Sequence, residues 1–332
     1  MPSNPSLTVV LPAHNAEATI APAIASTLNQ SYSDFQLWVL ENGSTDATAQ
    51  VAKSFSDPRL RVFELGPVGF QGALQYAIEN AESEWLARMD ADDLMFPHRL
   101  KVQMQILAQH PELVFVASHY ALLTPFGSII ERLLTVPSSE VDSSRLSKGR
   151  FFADPSTIFR RRIALDAGGV DPEFTSGDVP LLFRLLAYGK GFEIAEPLYL
   201  YRIQPNSMCR STDFRRQGLR ARAKYAPETV DPSAQARDEV SAWAFILGLE
   251  LLARNGPGVR RAADYLEQTG TNANWARWLS YFPRLGYQYY RLWDCSGFRY
   301  RHRRDWENLF KPLMERCRAK ITGGTLVEAV SQ

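Results

Sequence analysis

Cysteine is nearly missing from this sequence: Cys209, Cys295 and Cys317 are all there is in 332 residues. The number is odd and the spacing wide, which excludes a disulfide framework and zinc-ligand spacing and points to a reducing compartment. Histidine is also sparse. His14, His98, His110, His119 and His302 show no ligand spacing and read as surface or core residues. A membrane-length apolar run is lacking too. The longest charge-free apolar stretch, Leu113 to Ile130, is broken by His119, Thr124, Pro125 and Gly127, so it reads as two strands and a turn. The opening Met-Pro-Ser-Asn-Pro-Ser has no basic segment before the first apolar strand, so no secretory leader is expected. No Gly-x-Gly-x-x-Gly follows that strand. Pro12-Ala13-His14-Asn15 stands there instead, which argues against a dinucleotide-dependent dehydrogenase.

What the chain does contain is ordinary for a globular protein: 45% hydrophobic and 22% charged residues, enough to exclude wholesale disorder and to bury a full core. The length suits two domains, or one large α/β domain with an extension. A net charge of +1 hides a split. Residues 1–204 hold 16 Lys+Arg against 23 Asp+Glu, net −7, and residues 205–332 hold 21 against 13, net +8. The two parts are therefore expected to do different work. The basic tail alone would suit nucleic acid, but no recognised motif accompanies it and the acidic front opposes it, so no nucleic-acid partner is expected.

The front half alternates strand and helix. Leu7–Leu11, Phe35–Leu40, Arg61–Leu65, Glu84–Met89 and Leu113–Ser118 read as strands. Between them lie helices carrying Ile20, Ile24 and Leu28, then Val51 and Phe55, then Gln71–Asn80 and Arg99–Gln109. This pattern predicts a mainly parallel sheet covered by helices, with ligands beyond the carboxyl ends of its strands. Asn15 and Glu17, Glu41 and Asn42, and Asp90 and Asp92 all follow strand ends and would gather on that rim. From about Ser211 the strand signal fades. Asp238–Ala253 and Val259–Gln268 look helical, Asn274–Asp294 is aromatic-rich, and Arg299–Arg304 is a basic cluster.

Carboxylates are hard oxygen ligands, so Asp90-Ala91-Asp92 directly after a strand suits Mg²⁺ or Mn²⁺. Two of them leave room for waters and a diphosphate. Read alone, Asp92 or Asp93 equally suits a helix N-cap.

Taken together, several stretches resemble the family 2 glycosyltransferases. Val9-Val10-Leu11-Pro12-Ala13-His14-Asn15-Ala16-Glu17 is similar to their opening strand and turn. Glu41-Asn42-Gly43-Ser44-Thr45-Asp46 resembles their D-D-G-S-T-D loop. Ala87-Arg88-Met89-Asp90-Ala91-Asp92-Asp93 with Pro97-His98-Arg99-Leu100 is similar to their D-x-D segment and the helix after it. Pro155–Arg160 with Ala167–Asp171, then Gly177-Asp178-Val179-Pro180-Leu181, resemble the stretch leading to and through their catalytic loop, and Tyr201-Arg202 ends the likeness. The resemblance covers roughly residues 5–205 and implies an α/β, GT-A-type nucleotide-binding sheet flanked by helices. It implies domains at 1–210 (transferase) and 211–332 (a mainly helical, basic, aromatic-rich extension).

The activity implied is metal-dependent, inverting sugar transfer of the hexosyltransferase type. A nucleotide-sugar donor, UDP-linked by family likeness, would serve a hydroxyl of a glycan or lipid-linked acceptor. Pro12, Ala13, Asn15, Glu17, Glu41, Arg88, Asp90 and Ala91 would border the donor. Asp92, with Asp90, would hold Mn²⁺ or Mg²⁺. Asp178 would be the general base, since an aspartate is ionised at neutral pH and can accept a proton as the hydroxyl acidifies.

Some positions depart from the pattern. Asn42 replaces an aspartate, Gln75 stands for a frequent asparagine, Gly177 and Pro180 replace acidic residues around Asp178, and Gln204 stands where many members have histidine. These departures keep a second class open, a GT-A-type scaffold without turnover. The tail's tryptophans, tyrosines and arginines suit a helical cap or dimer contact, or a peripheral membrane surface. The expected location is cytoplasmic, extending to the inner face of a membrane.

Overall fold

The computed structural model describes residues 5–124, 129–133, 137–148, 152–175, 178–204, 212–227, 247, 250–251, 256–268 and 299–303. The elements begin β1 (Leu7–Ala13), α1 (Ile20–Leu28), β2 (Phe35–Glu41), α2 (Thr48–Lys53), β3 (Leu60–Glu64), α3 (Gly69–Asn80) and β4 (Trp85–Arg88). They continue β5 (Leu94–Met95), α4 (Arg99–Gln109), β6 (Leu113–Leu123), β7 (Ile129–Leu133), β8 (Ser139–Val141), α5 (Ser143–Lys148), a 3₁₀ turn at Asp154–Ser156, β9 (Ile158–Arg160) and α6 (Arg161–Asp166). The last are α7 (Asp178–Leu186), β10 (Lys190–Arg202), α8 (Thr212–Tyr225), α9 (Gly256–Gln268) and β11 (Arg299–Arg303). They fall into two compact units, one on Met1–Ala121 and Val136–Tyr201, the other on Leu122–Thr135 and Arg202–Arg303.

In the first unit the strand order is β6-β9-β4-β1-β2-β3. β1 runs parallel to β2 and β4, and β2 parallel to β3, so the carboxyl ends of these four strands lie at one rim. β9 is antiparallel to β4 and β6. β10 runs antiparallel to β5 and β8.

β1 is buried on both faces, as a central parallel strand requires. Leu7, Val9 and Leu11 join Ile20, Ile24 and Leu28 of α1 in one core cluster. Alternation turns Thr8 to the other face, where its hydroxyl accepts a 2.8 Å bond from Ser83 and so is not buried unpaired. Pro22 sits in the first turn of α1, where its missing N–H costs nothing. α4 has the predicted bounds, with Leu100, Gln103 and Leu107 on its inner stripe.

Longer strands of this unit depart from the sequence reading at two places. β6 continues to Leu123, five residues beyond the predicted end. β10, with 13 residues, carries Glu193, Glu196 and Pro197, which blur the alternation that announces a strand.

In the second unit α9 begins at Gly256, ahead of the predicted Val259. It buries Val259, Ala262, Ala263 and Leu266, one amphipathic stripe. Arg299–Arg303 lies in the region read as mainly helical but is a strand, antiparallel to β7 from Leu133↔Arg299 to Ile129↔Arg303. Pairing with a partner strand distant in sequence overrides local preference there. Of the predicted helix Asp238–Ala253, Leu247, Glu250 and Leu251 are helical and the rest lies outside the described residues, as does Asn274–Asp294. Among the described residues no helix is long and apolar enough to cross a membrane.

Candidate active site at the strand ends

Two turns at the ends of β1 and β2 interlock. Asn15 has φ +48, the left-handed region that asparagine tolerates. Its N–H donates to Ser44 Oγ (3.1 Å), and its Oδ1 accepts from Thr45 N–H (2.9 Å). Ala16 N–H donates to Thr48 Oγ1 (2.7 Å) and Glu17 N–H to Asp46 Oδ2 (3.1 Å). The Glu17 carboxylate accepts from Ala47 N–H (2.9 Å), at the start of α2 rather than of its own helix α1. His14 Nδ1 lies 2.9 Å from Asn42 O. The side chains of Asn15 and Glu17 therefore brace the rim, while Pro12 and Ala13 pair with Leu40 and Glu41 behind it.

Glu41 is buried, and burial alone would raise its pKa. The Ser44 hydroxyl and N–H, the Gly43 N–H and the nearby His14 outweigh that and hold it below the ordinary carboxylate value. Asp46 is held low in the same way, the bonds from Thr48 and from Glu17 N–H overcoming its desolvation. Asn42 Oδ1 accepts from Gly69 N–H (2.8 Å), the first residue of α3. An aspartate would serve this contact equally, so the departure at Asn42 removes a charge and keeps the acceptor. Gly43 (φ +71) cannot be replaced cheaply, because a Cβ there would lie 2.9 Å from Pro67 N.

The acidic turn follows β4. Oxygens of Asp90, Asp92 and Asp93 lie within 4.8 Å of one another. Asp93, absent from the predicted ligands, is 1% exposed. The N-cap reading of Asp92 and Asp93 fails. Leu94–Met95 is a strand, and the residue capping α4 is His98. Asp93 N–H donates to Asp90 O (3.3 Å), closing the turn. Ala91 is buried within it. Arg88, also buried, donates from Nη2 to Asp90 Oδ1 (2.7 Å), with its guanidinium 4.6 Å from the Phe70 ring centre.

Below the turn lie two residues that sequence reasoning did not assign to the site. Arg99 is fully buried. It donates to Gln103 Oε1 (3.0 Å), Arg88 O (3.0 Å) and Thr157 O (3.4 Å). Burial lowers its pKa to about 10, which leaves it charged at neutral pH. Tyr199 of β10 is equally buried, and its hydroxyl accepts from Asp90 N–H (3.2 Å). Only the Arg99 position, in the helix after the D-x-D-like segment, carried a sequence signal.

A third group links α3 to the chain before α7. Gln75 Oε1 accepts from Val170 N–H (2.8 Å) and its amide donates to Glu79 (2.7 Å). Gly168 and Gly169 turn beside it with φ +82 and +68. Asp178 is the first residue of α7, and Pro180 lies in that helix's first turn. Gly177 lies outside the described residues, and Gln204 follows the end of β10. A small, partly open pocket lined by Arg88, Asp154, Thr157, Phe159, Leu181 and Leu182 lies between the β4–β9 region and α7.

The sequence profile described as glycosyl transferase family 2 matches residues 8–167. The O-antigen biosynthesis glycosyltransferase WbnJ of Escherichia coli is 29% identical over 215 residues, 62% of this chain and 82% of WbnJ. The Escherichia coli UDP-Glc:alpha-D-GlcNAc-diphosphoundecaprenol beta-1,3-glucosyltransferase WfgD is 28% identical over 35% of this chain and 46% of its own length. Among solved structures, Staphylococcus aureus TarS 1–349 in complex with UDP-GlcNAc aligns with a TM-score of 0.55 at 16% identity, over 86% of this chain and 88% of that one. The mannosyltransferase PcManGT of Pyrobaculum calidifontis, in complex with GDP-Man and Mn²⁺, aligns with a TM-score of 0.52 at 16% identity, over 89% of each chain. The sheet and helices described above are those of the GT-A fold.

Proposed function

Residues 8–167 belong to glycosyl transferase family 2 and the protein is a glycosyltransferase, and from that premise we propose a metal-dependent, inverting transfer from a nucleotide-sugar donor to a hydroxyl of a glycan or lipid-linked acceptor. The observation that carries this reading is the convergence of Asp90, Asp92 and Asp93 beside the two interlocked turns. Three clustered carboxylates are a donor set of hard oxygens, which fits Mg²⁺ or Mn²⁺. When bound, such an ion neutralises the diphosphate as it leaves.

The chain's own groups do the rest. Pro12, Ala13 and Glu41 border the nucleotide, while Asn15 and Glu17 fix the turns that receive it. Arg88 and Asp90 orient the ribose and diphosphate side of the donor, with Ala91 giving room between the ligands. Asp92 and Asp90 would hold the metal, joined by Asp93. Asp178, opening α7, takes the proton from the acceptor hydroxyl as it attacks the anomeric carbon from the side opposite the nucleotide. The carbon–oxygen bond to the diphosphate breaks as the new glycosidic bond forms, which inverts the centre. A UDP-linked donor is favoured by the UDP-Glc in WfgD's name and by the UDP-GlcNAc complex of TarS. A diphosphoundecaprenol-linked acceptor in WfgD's name supports the lipid-linked class. Residues 1–210 form the transferase domain in this reading. Residues 211–332 form a basic, aromatic-rich extension that meets the membrane surface carrying such an acceptor.

The test is calorimetric binding of UDP, GDP, dTDP and CMP with and without Mn²⁺, together with transfer assays. Asp92→Asn is expected to lose at least about tenfold in Mn²⁺-dependent nucleotide affinity. Asp178→Asn is expected to keep binding and lose about 10²–10⁴ in kcat. Nucleotide binding by the folded wild type without any transfer would favour the scaffold class instead.

A further inference from the structure

Three carboxylates crowded at the end of β4 repel one another, so something must hold their turn in shape before any cation arrives. Arg88 supplies one counter-charge directly, at 2.7 Å from Asp90. The rest of the support comes from underneath. The strand entering the turn is fixed by Arg99, whose Nη2 donates to the carbonyl of Arg88. The strand leaving it, β5, pairs with β10 through Leu200↔Leu94 and Tyr199↔Met95. Between these two anchors, the Asp90 N–H is held by the Tyr199 hydroxyl, 109 residues away in sequence. The Tyr199 ring cannot swing aside: it is fully buried and lies 5.1 Å from the Arg99 guanidinium.

We infer that Tyr199 is the positioning residue of the acidic turn, acting through the Asp90 N–H to set the spacing of the three carboxylates for a divalent cation. Its fully buried side chain acts through the backbone of the turn. A hydroxyl brought by β10 to this amide ties the turn to the strand pairing across from it. A phenylalanine would fill the same volume without that tie.

The inference rests on the metal-dependent reading above. Its test compares wild type with Tyr199→Phe by three measurements: Mn²⁺ binding in the presence of UDP, followed by the free-Mn²⁺ EPR signal; UDP affinity without metal; and the urea midpoint. Mn²⁺ affinity is expected to fall about fivefold, the worth of one buried hydrogen bond. Metal-free UDP affinity stays within about twofold, because the interlocked turns do not depend on Tyr199. An unchanged Mn²⁺ affinity, or an equal fall with and without metal, overturns the inference while leaving the transferase reading intact. A wild type that binds no Mn²⁺ overturns both. Should Tyr199→Phe not fold, site-specific 3-fluorotyrosine at position 199 keeps the ring and weakens its oxygen as an acceptor. A smaller fall in the same Mn²⁺ affinity supports the inference, and no fall overturns it.

Discussion

Replacing Gly169 by alanine tests how α3 is tied to the segment that leads into α7. The residue sits at φ +68, where an L side chain costs about 1 kcal/mol. An added Cβ would fall 2.1 Å from Gln75 Oε1 and 2.7 Å from its Nε2, so the Gln75 side chain must leave. When it leaves, the Val170 N–H loses its 2.8 Å acceptor in a part-buried place, a loss of about 1–2 kcal/mol. The two effects together predict about 2–3 kcal/mol of destabilisation for Gly169→Ala. Gln75→Ala removes the acceptor alone and is expected to cost about 1–2 kcal/mol. In the Gln75→Ala background the clash is gone, and Gly169→Ala should then cost only the backbone strain, about 1 kcal/mol. Urea unfolding of the four proteins gives the cycle. A coupling of about 1 kcal/mol or more is expected. Strictly additive losses, or a Gly169→Ala cost below about 0.5 kcal/mol, would refute the argument.

Glu41 and Asp46 have folded pKa values below their unfolded ones, so their contribution is present above the ordinary carboxylate range and lost as pH falls through the folded values. Stability followed by urea midpoint should therefore drop on going from pH 6 to pH 3, and Glu41→Gln should flatten the drop; parallel curves would count against the Ser44 and Gly43 bonds as its source. Asn42→Leu, which leaves Gly69 N–H without its acceptor, should lower stability by about 1–2 kcal/mol. Asn42→Asp keeps an acceptor and should lose less in the same thermal melt; the reverse order would mean that the amide's donor side matters more.

The parallel core could be read from the chain because its signals are local. β1, β2 and β4 are apolar runs, α1 and α4 carry one apolar stripe each, and polar turns stand where the strands stop. The rim gathering followed from parallel order alone. β5, β9 and β10 could not be read in this way. β5 and β9 have two and three residues, and β10 carries charges and a proline along its length. Asp93 stands in the same acidic run, but the local pattern also suits a helix cap there, and that helix does not exist because the chain after Asp93 pairs with β10 before α4 begins. Tyr199 had no pattern to announce its role, and Arg99 stood in a matched segment that named no role for it. Their meaning lies in being stacked under a turn, and only the folded arrangement brings β10, α4 and β4 to one point.

The mutual bracing of the first two turns means that neither can be exchanged alone. Residues 14–17 owe their conformation to 42–48, and the reverse holds as well, through bonds that cross about 30 residues of sequence in both directions. Transplanting either turn by itself from a relative would leave hydroxyls and amides facing the wrong neighbours. The two segments form one heritable cassette, and if they receive the nucleotide as proposed, a change of nucleotide preference would have to move them together.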